Sequence, residues 1–237
     1  MTKKLLLISN STLHGSRYLE HCEDQIQKFL GNTIKTVLFI PYARPGGMSH
    51  DDYTTIAEEK FLQMGYQLKG IHSYKDPIWA IEHTDAIFTG GGNTFVLLNE
   101  LYKNKLINPL QKAVNNGTPY IGTSAGSNIA TPNIKTTNDM PILYPPSFDS
   151  LNLVAFNLNP HYIDTDPTST HMGETREKRI KEFHNYNSTA VIGLREGAML
   201  HINGDTITLL GSTGARLFLK DKDPVEYKAG SDLSFLL

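Results

Sequence analysis

Four short apolar runs, separated by segments with helical spacing, constrain the fold of this chain most strongly. The runs are continuous rather than alternating, which is typical of strands covered on both faces of a sheet. They span residues 4–9, 36–41, 85–89 and 119–122. Helices are predicted between and after them, at residues 18–30, 52–64, 94–102 and 108–116. This alternation favours an α/β fold with a doubly wound, mostly parallel sheet and right-handed crossovers.

The second half of the chain follows a different pattern. Residues 129–150 are rich in Pro, Thr and Asn and predict a long loop, a feature that is usually functional in compact domains. A helix is predicted over residues 173–185. Extra antiparallel strands near the C-terminus are predicted at residues 189–194, 198–203, 205–210 and 215–219. With 237 residues and no repeat or linker, we expect one α/β domain over residues 1–237.

Composition excludes several classes of partner. The net charge of -2 gives no electrostatic basis for binding nucleic acid. No apolar run approaches the ~18–20 residues of a membrane helix, so no membrane association is expected. A single cysteine, Cys22, is consistent with a reducing compartment, and we expect a cytoplasmic protein. The oligomeric state stays open.

The most specific motif is Gly122-Thr123-Ser124-Ala125-Gly126, which follows a predicted strand and precedes a predicted helix at residues 125–130. This is the G-x-S-x-G pattern of a nucleophile elbow in its required context. The glycines relieve crowding at a sharp turn that lifts the Ser124 hydroxyl to the carboxyl end of the sheet. Ser124 is therefore the candidate nucleophile, against the alternative of a glycine-rich turn with an incidental serine.

A serine nucleophile needs a base, and the chain has nine histidines. His161 follows an apolar stretch at residues 151–158, which places it at a predicted strand end. The other histidines fall in predicted loops, on helix surfaces or inside a late strand. His161 is therefore the candidate base. The sequence contains no H-E-x-x-H motif and no compact ligand cluster, so neither a metal nor another cofactor is expected.

A second glycine-rich turn, Gly90-Gly91-Gly92-Asn93, follows the strand predicted at residues 85–89. It lacks the Lys-Ser/Thr of a phosphate-binding P-loop and the spacing of a dinucleotide fingerprint. We expect Gly91 and Gly92, together with the Ala125 N–H, to form an oxyanion hole. The alternative is a tight turn that caps the next helix.

Together these motifs resemble the peptidase E, or α-aspartyl dipeptidase, family. The resemblance runs nearly end to end and includes LLLISNSTLHG, FIPYA, GGGNTF, YIGTSAGSNIA, TTNDMPI, NPHY, GETREKRI and IGLREG. It implies a fold similar to class I glutamine amidotransferases, with Ser124 in place of their cysteine. It also implies a serine dipeptidase that cleaves α-Asp-Xaa dipeptides through a Ser-His-acid triad and an acyl-enzyme.

The acid of that triad has two candidates. Asp139 would give the chain order Ser…Asp…His of α/β-hydrolases. Glu196 comes just after a predicted strand, where a rigid element could aim it at a histidine. We favour Glu196 as the partner of His161, with Asp139 holding the loop or the amino group of the substrate.

Recognition of an aspartyl side chain calls for a cation, and arginine suits a carboxylate because its planar fork donates two parallel hydrogen bonds. Arg176, in a motif that matches the family, is our candidate. An ion pair with a neighbouring glutamate on a solvated helix is the alternative. Asn93 is a second candidate substrate contact.

Three other functions stay open. A related serine hydrolase acting on isoaspartyl or cyanophycin-type bonds would share the elbow and differ in its pocket. A non-catalytic binding protein would keep the fold without the chemistry. A nucleotide-binding protein would need residues 90–92 to bind phosphate.

Overall fold

The computed structural model describes residues 2–166, 168, 170 and 173–237, and within that part it contains eleven strands and seven α-helices. The strands are β1 Lys4–Ile8, β2 Thr36–Ile40, β3 Gln67–Gly70, β4 Ala86–Thr89, β5 Tyr120–Thr123, β6 Asn157–Pro160, β7 Val191–Leu194, β8 Ala198–Asn203, β9 Thr206–Gly211, β10 Ala215–Phe218 and β11 Val225–Tyr227. The helices are α1 Glu23–Leu30, α2 His50–Gln63, α3 Pro77–Glu82, α4 Thr94–Lys103, α5 Ile107–Asn115, α6 Ala125–Asn128 and α7 Arg176–His184.

Seven strands form the larger sheet, in the order β3-β2-β4-β5-β1-β8-β9. The first five pair in parallel, with Leu6 of β1 opposite Ile121 of β5. β8 and β9 then extend the sheet in antiparallel fashion, and Leu6 faces His201 on that side. The predicted mostly parallel sheet with extra antiparallel strands is therefore confirmed.

Helices cover both faces of this sheet, which explains why the apolar runs are continuous. In β1, Leu5 and Leu7 join the cluster that packs against α3, α4 and α5. Leu6 and Ile8 join the cluster that packs against α1 and α2. All four side chains are at most 1% exposed. Burial of such a side chain contributes about 1.5–3 kcal/mol to folding, so every position of the strand favours this two-sided arrangement.

Four strands form a second, smaller sheet, in the order β11-β10-β7-β6. β7 pairs in parallel with β6, with Leu194 opposite Pro160, and antiparallel with β10. From the sequence, residues 189–194 were placed among antiparallel strands, and the strand end predicted after the apolar stretch 151–158 overlaps β6 only in part. β6 has the sequence NLNP, and its buried Asn157 and Asn159 bond to the loop around Thr136 instead of forming an apolar run.

Several elements begin at residues that pattern alone did not identify. α2 starts at His50 because Ser49 and Asp52 form a capping box. α7 starts at Arg176, where the Thr175 side chain accepts the Lys178 N–H. β3, β11 and α3 were not predicted, and β3 is a short edge strand with alternating burial. No helix in the described ranges has the length and apolar character needed to cross a membrane.

Candidate active site

The connection from β5 to α6 is a sharp turn at Ser124. Its backbone has φ 51° and ψ -110°, a conformation that costs a non-glycine residue about 1–3 kcal/mol. The Ser124 N–H donates to the Ile8 carbonyl at 3.0 Å, and its carbonyl accepts from the Asn128 N–H at 2.9 Å. These bonds hold the strained residue between the strand and the helix, at the carboxyl edge of the parallel sheet.

The two glycines of the motif are required by packing. A Cβ at Gly122 would lie 2.5 Å from the Gly126 carbonyl, and one at Gly126 would lie 2.2 Å from the Thr89 carbonyl oxygen. Real Cβ atoms do not approach backbone this closely. The spacing G-x-S-x-G is therefore what allows α6 to sit directly on β5 and β4.

His161 lies beside the serine, immediately after β6. Its Nε2 is 3.0 Å from Ser124 Oγ, and its Nδ1 is 2.6 Å from Glu196 Oε1. An ionised carboxylate can only accept, so Nδ1–H donates to Glu196 and the free Nε2 accepts from the Ser124 hydroxyl. Glu196 occupies the turn between β7 and β8. The serine thus comes from the larger sheet, the histidine from the smaller one, and the glutamate from the connection between them.

Asp139 does not contact His161 in the described part of the chain. Its Oδ2 accepts from the Thr94 N–H at 2.7 Å, the Thr94 hydroxyl at 2.6 Å and the Thr137 hydroxyl at 3.1 Å. The carboxylate thereby caps the N-terminus of α4, where the helix dipole stabilises negative charge. It nevertheless lines the same small cavity, of about 20 Å³, as Ser124 and His161.

The glycine turn after β4 packs against Ser124. A Cβ at Gly91 would lie 3.1 Å from Ser124 Cβ. The Tyr53 hydroxyl donates to the Gly91 carbonyl at 3.2 Å and so fixes the peptide plane that carries the Gly92 N–H. Across the residues that the structure describes, neither the Gly91 nor the Gly92 N–H has an acceptor. The Ala125 N–H opens α6, where a helix offers no internal acceptor.

Asn93 has a structural task at the start of α4. Its Oδ1 accepts from the Phe95 and Val96 N–H groups at 3.0 and 3.1 Å. Its Nδ2 donates to the Met140 carbonyl at 2.9 Å. The Asn93 Oδ1 is thus occupied by two donors, and a substrate contact would have to use the second N–H of Nδ2.

Arg176 is half-buried at the first position of α7. Burial lowers its pKa and repulsion from Arg179 lowers it further, while the Asp139 carboxylate acts in the opposite direction. The guanidinium still stays charged at neutral pH. The two neighbouring glutamates bind elsewhere: Glu174 pairs with Lys178, and Glu177 with Lys181 and Arg216. Arg176 therefore lies within electrostatic range of the cavity, and no described glutamate forms an ion pair with it.

Several polar residues around the site were not identified from the sequence. Ser9 and Asn10 are fully buried and bond to the segments that carry His161 and Glu196. Thr94 and Thr137 hold Asp139. The position of Ser9 and Asn10 directly after a buried strand could have identified them. Binding and catalytic sites form at the carboxyl edge of a parallel sheet, where such residues lie.

The chain is similar to known peptidases over most of its length. Residues 5–210 match the model of peptidase family S51. The chain is 49% identical to peptidase E of Streptomyces coelicolor over 98% of this chain and 94% of that protein. It is 47% identical to a Drosophila melanogaster protein named "Probable alpha-aspartyl dipeptidase", over 99% of this chain and 98% of that one.

A solved structure of a peptidase from an acI-B1 Actinobacterium shares the fold. Its TM-score is 0.75 at 17% sequence identity, with 99% of this chain and 98% of that chain covered. Its likeness supports the architecture of the two sheets. The family model and the sequence relatives both span most of the chain, and on these grounds the protein belongs to peptidase family S51.

Proposed function

We propose that this chain is a serine dipeptidase that hydrolyses α-Asp-Xaa dipeptides, with Ser124, His161 and Glu196 as its catalytic triad. The observation that carries the proposal is the continuous line of contacts from Glu196 Oε1 through His161 to Ser124 Oγ, at 2.6 and 3.0 Å. The relatives named peptidase E and alpha-aspartyl dipeptidase support the substrate class.

In the proposed reaction, His161 Nε2 takes the Ser124 proton while Oγ attacks the carbonyl carbon of the peptide bond. Glu196 holds the imidazole in the required tautomer and stabilises the imidazolium. The Gly91, Gly92 and Ala125 N–H groups stabilise the oxyanion. The imidazolium then protonates the leaving amine, and water hydrolyses the acyl-enzyme with His161 again as the base.

Two charged groups would recognise the ends of the aspartyl residue. Asp139 has one carboxylate oxygen occupied by its three donors, and its Oδ1 would bind the α-ammonium group. Arg176 would bind the aspartyl carboxylate, since it is half-buried near Asp139. An acidic group that lines the cavity and a basic group within its electrostatic range match a substrate residue that carries both charges.

We also propose that the whole chain is one domain that works in the cytoplasm. The largest hydrophobic cluster contains residues of both sheets, such as Leu5 and Leu217, which supports a single folding unit. The one cysteine is free and buried, as suits a reducing compartment.

A dipeptide panel tests the substrate class. We expect hydrolysis of α-Asp-Leu, with Ala-Leu and Asn-Leu poorer by ~10²-fold or more in kcat/KM, because they leave a buried charge unpaired. Glu-Leu should be rejected in part, because its carboxylate lies one methylene further out. Preference for β-Asp-Leu would favour the isoaspartyl alternative, and equal rates across the panel would exclude the aspartyl assignment.

Labelling with a fluorophosphonate tests the chemistry independently of the substrate. We expect one equivalent of label on Ser124 in the wild type. A chain that binds ligands without hydrolysing them would stay unlabelled.

A matched pair of arginine variants tests the pocket. Arg176→Ala should lower kcat/KM for α-Asp-Leu by ~10²-fold and barely change the slow Ala-Leu reaction, because only the acidic substrate uses that contact. Arg179→Ala, on the same helix and exposed, should leave both reactions within about twofold. Equal losses on both substrates in Arg176→Ala would assign this arginine to the fold.

A further inference from the structure

The end of strand β1 contacts the segments that carry all three members of the proposed triad. The Ile8 carbonyl accepts the Ser124 N–H at 3.0 Å. The next two residues, Ser9 and Asn10, have fully buried side chains that reach the other two segments. Within the described part of the chain, neither side chain forms a hydrogen bond with Ser124 Oγ, the His161 ring or the Glu196 carboxylate. Any effect on the reaction is therefore expected to act through the backbone of those residues.

The Ser9 hydroxyl joins the histidine segment to the strand before the glutamate. It accepts the His161 N–H at 2.9 Å and donates to the Leu194 carbonyl at 2.8 Å. His161 has φ 54°, in the left-handed region that non-glycine residues rarely adopt. Its backbone therefore needs stabilising contacts from neighbouring residues to keep this conformation. One buried oxygen atom thereby joins the His161 segment to the strand before Glu196, beside the backbone bond from the Tyr162 N–H to the same Leu194 carbonyl.

Asn10 holds the other side of the glutamate turn. Its Oδ1 accepts the Gly197 N–H at 2.8 Å, directly after Glu196. The backbone N–H of Ser9 donates to the Ala198 carbonyl at 3.1 Å. Glu196 therefore sits in a turn whose two sides are both bonded to residues 9–10.

We propose that Ser9 and Asn10 are positioning residues that hold the His161 and Glu196 segments in register with Ser124. The proposal rests on the function proposed above, because it assigns a role in that triad. The physical reason is that Ser124 and His161 belong to different sheets, and the strand that bonds to both is β1. Small errors in the placement of a catalytic group cost large factors in rate, and a misplacement of 1 Å costs ~10²-fold.

The first experiment compares Ser9→Ala with Ser234→Ala. The Ser234 hydroxyl also accepts a backbone N–H at 2.9 Å, from Ile207 of β9. Ser234 lies near the C-terminus and bonds to none of the three triad segments in the described part of the chain. We expect Ser9→Ala to lower kcat for α-Asp-Leu by ~10–10²-fold with KM changed less than about threefold. Ser234→Ala should stay within about twofold of the wild type. The conservative Ser9→Thr, which keeps the hydroxyl, should recover most of the rate.

A spectroscopic readout separates this proposal from the proposed function. In protein labelled with ¹⁵N-histidine, the His161 nitrogen shifts report whether Nδ1 or Nε2 carries the proton. We expect the Nδ1–H tautomer in the wild type and in Ser234→Ala, and a mixture in Ser9→Ala. If the wild type fails on every dipeptide and on fluorophosphonate, the proposed function is wrong, yet the tautomer shift still decides the positioning role.

A double-mutant cycle completes the test. Ser9→Ala should slow fluorophosphonate labelling in the wild type and have no further effect in His161→Ala, because the two act as a unit. If Ser9→Ala does not fold, Asn10→Ala provides the same readouts with an expected loss of ~10-fold in kcat. Losses that multiply, or an unchanged tautomer with unchanged kcat, would overturn the proposal.

Discussion

At the scale of single residues, Ser124 and His161 share an unusual property. Both are non-glycine residues with positive φ, at 51° and 54°. Each such residue costs about 1–3 kcal/mol, which the surrounding hydrogen bonds must offset. Because the two bonds are made to adjacent residues, Ile8 and Ser9, the same strand end stabilises the strained backbone of both Ser124 and His161.

Removal of either residue should abolish most of the activity. Ser124→Ala and His161→Ala should each lower kcat for α-Asp-Leu by at least ~10⁴, and the double variant should be hardly worse, because triad members act together. Circular dichroism should show unchanged folding in all three. His83→Ala, at an exposed histidine that ends α3, serves as the control with full activity. Multiplicative losses would mean that the two residues are not partners.

The acid is tested by comparing two amide substitutions. Glu196→Gln should cost up to ~10⁴ in kcat, since the amide can donate to Nδ1 and favour the wrong tautomer. Asp139→Asn should act mainly on KM, because the structure places Asp139 on Thr94 and Thr137. Steady-state kinetics on α-Asp-Leu measure both. A larger loss of kcat in Asp139→Asn than in Glu196→Gln, with α4 intact, would make Asp139 the acid of the triad.

At the scale of elements, the short helix α6 can pack closely against β4 and β5 because Gly122 and Gly126 have no side chains. Gly126→Ala would place a methyl group 2.2 Å from the Thr89 carbonyl oxygen, which belongs to a strand and cannot move aside freely. We expect this variant to lower the free energy of unfolding by about 1–3 kcal/mol, as overpacking does. Urea denaturation measures the change.

Gly46→Ala is the control for that experiment. A Cβ at Gly46 meets nothing within 4 Å, so its stability should stay within about 1 kcal/mol of the wild type. Gly126→Ala should also lose activity, because α6 carries the Ala125 N–H. A stable and active Gly126→Ala protein would show that the helix can shift without consequence for the site.

At the scale of the whole molecule, an ion-pair cluster connects the segment after His161 to the smaller sheet. Arg195 donates two bonds to Asp164, at 2.6 and 2.7 Å, and pairs with Glu226 at 3.0 Å. The Arg195 hydrogen bonds lower the pKa of Asp164 most, burial opposes this, and the charges of Arg195 and Arg216 lower it further. The carboxylate is thus more acidic in the folded state than in the unfolded chain.

A lowered folded-state pKa fixes the direction of the pH dependence. The contribution of Asp164 to stability is fully present above the unfolded value of about 3.9, and is lost as the pH falls through the lower folded value. Asp164→Asn should remove this part of the acid dependence in urea titrations below pH ~4. The side chain is partly exposed, so the change should be under about 1 kcal/mol. An acid dependence identical to the wild type would show that the pair contributes nothing measurable.

The sequence by itself predicted most of the larger sheet and the sharp turn at Ser124. Continuous apolar runs can be stable only where both faces are covered, and G-x-S-x-G after such a run packs only as a strand-turn-helix. Both are local properties, so they can be predicted from the spacing of residues along the chain. The boundaries of α2 and α7 shifted by a few residues because Ser49 and Thr175 cap them through side-chain bonds.

The tertiary structure alone decided which groups meet Ser124. His161, Glu196 and the adjacent pair Ser9 and Asn10 come from three separate parts of the chain. The apolar stretch at residues 151–158 placed His161 at a strand end but did not show which groups that end meets. Asp139 and Glu196 were equal candidates by residue type. They differ only in position, because Asp139 is bound to the N-terminus of α4 whereas Glu196 lies 2.6 Å from His161 Nδ1. Spacing along a chain cannot encode a distance between two sheets, and that distance is what aligns these residues.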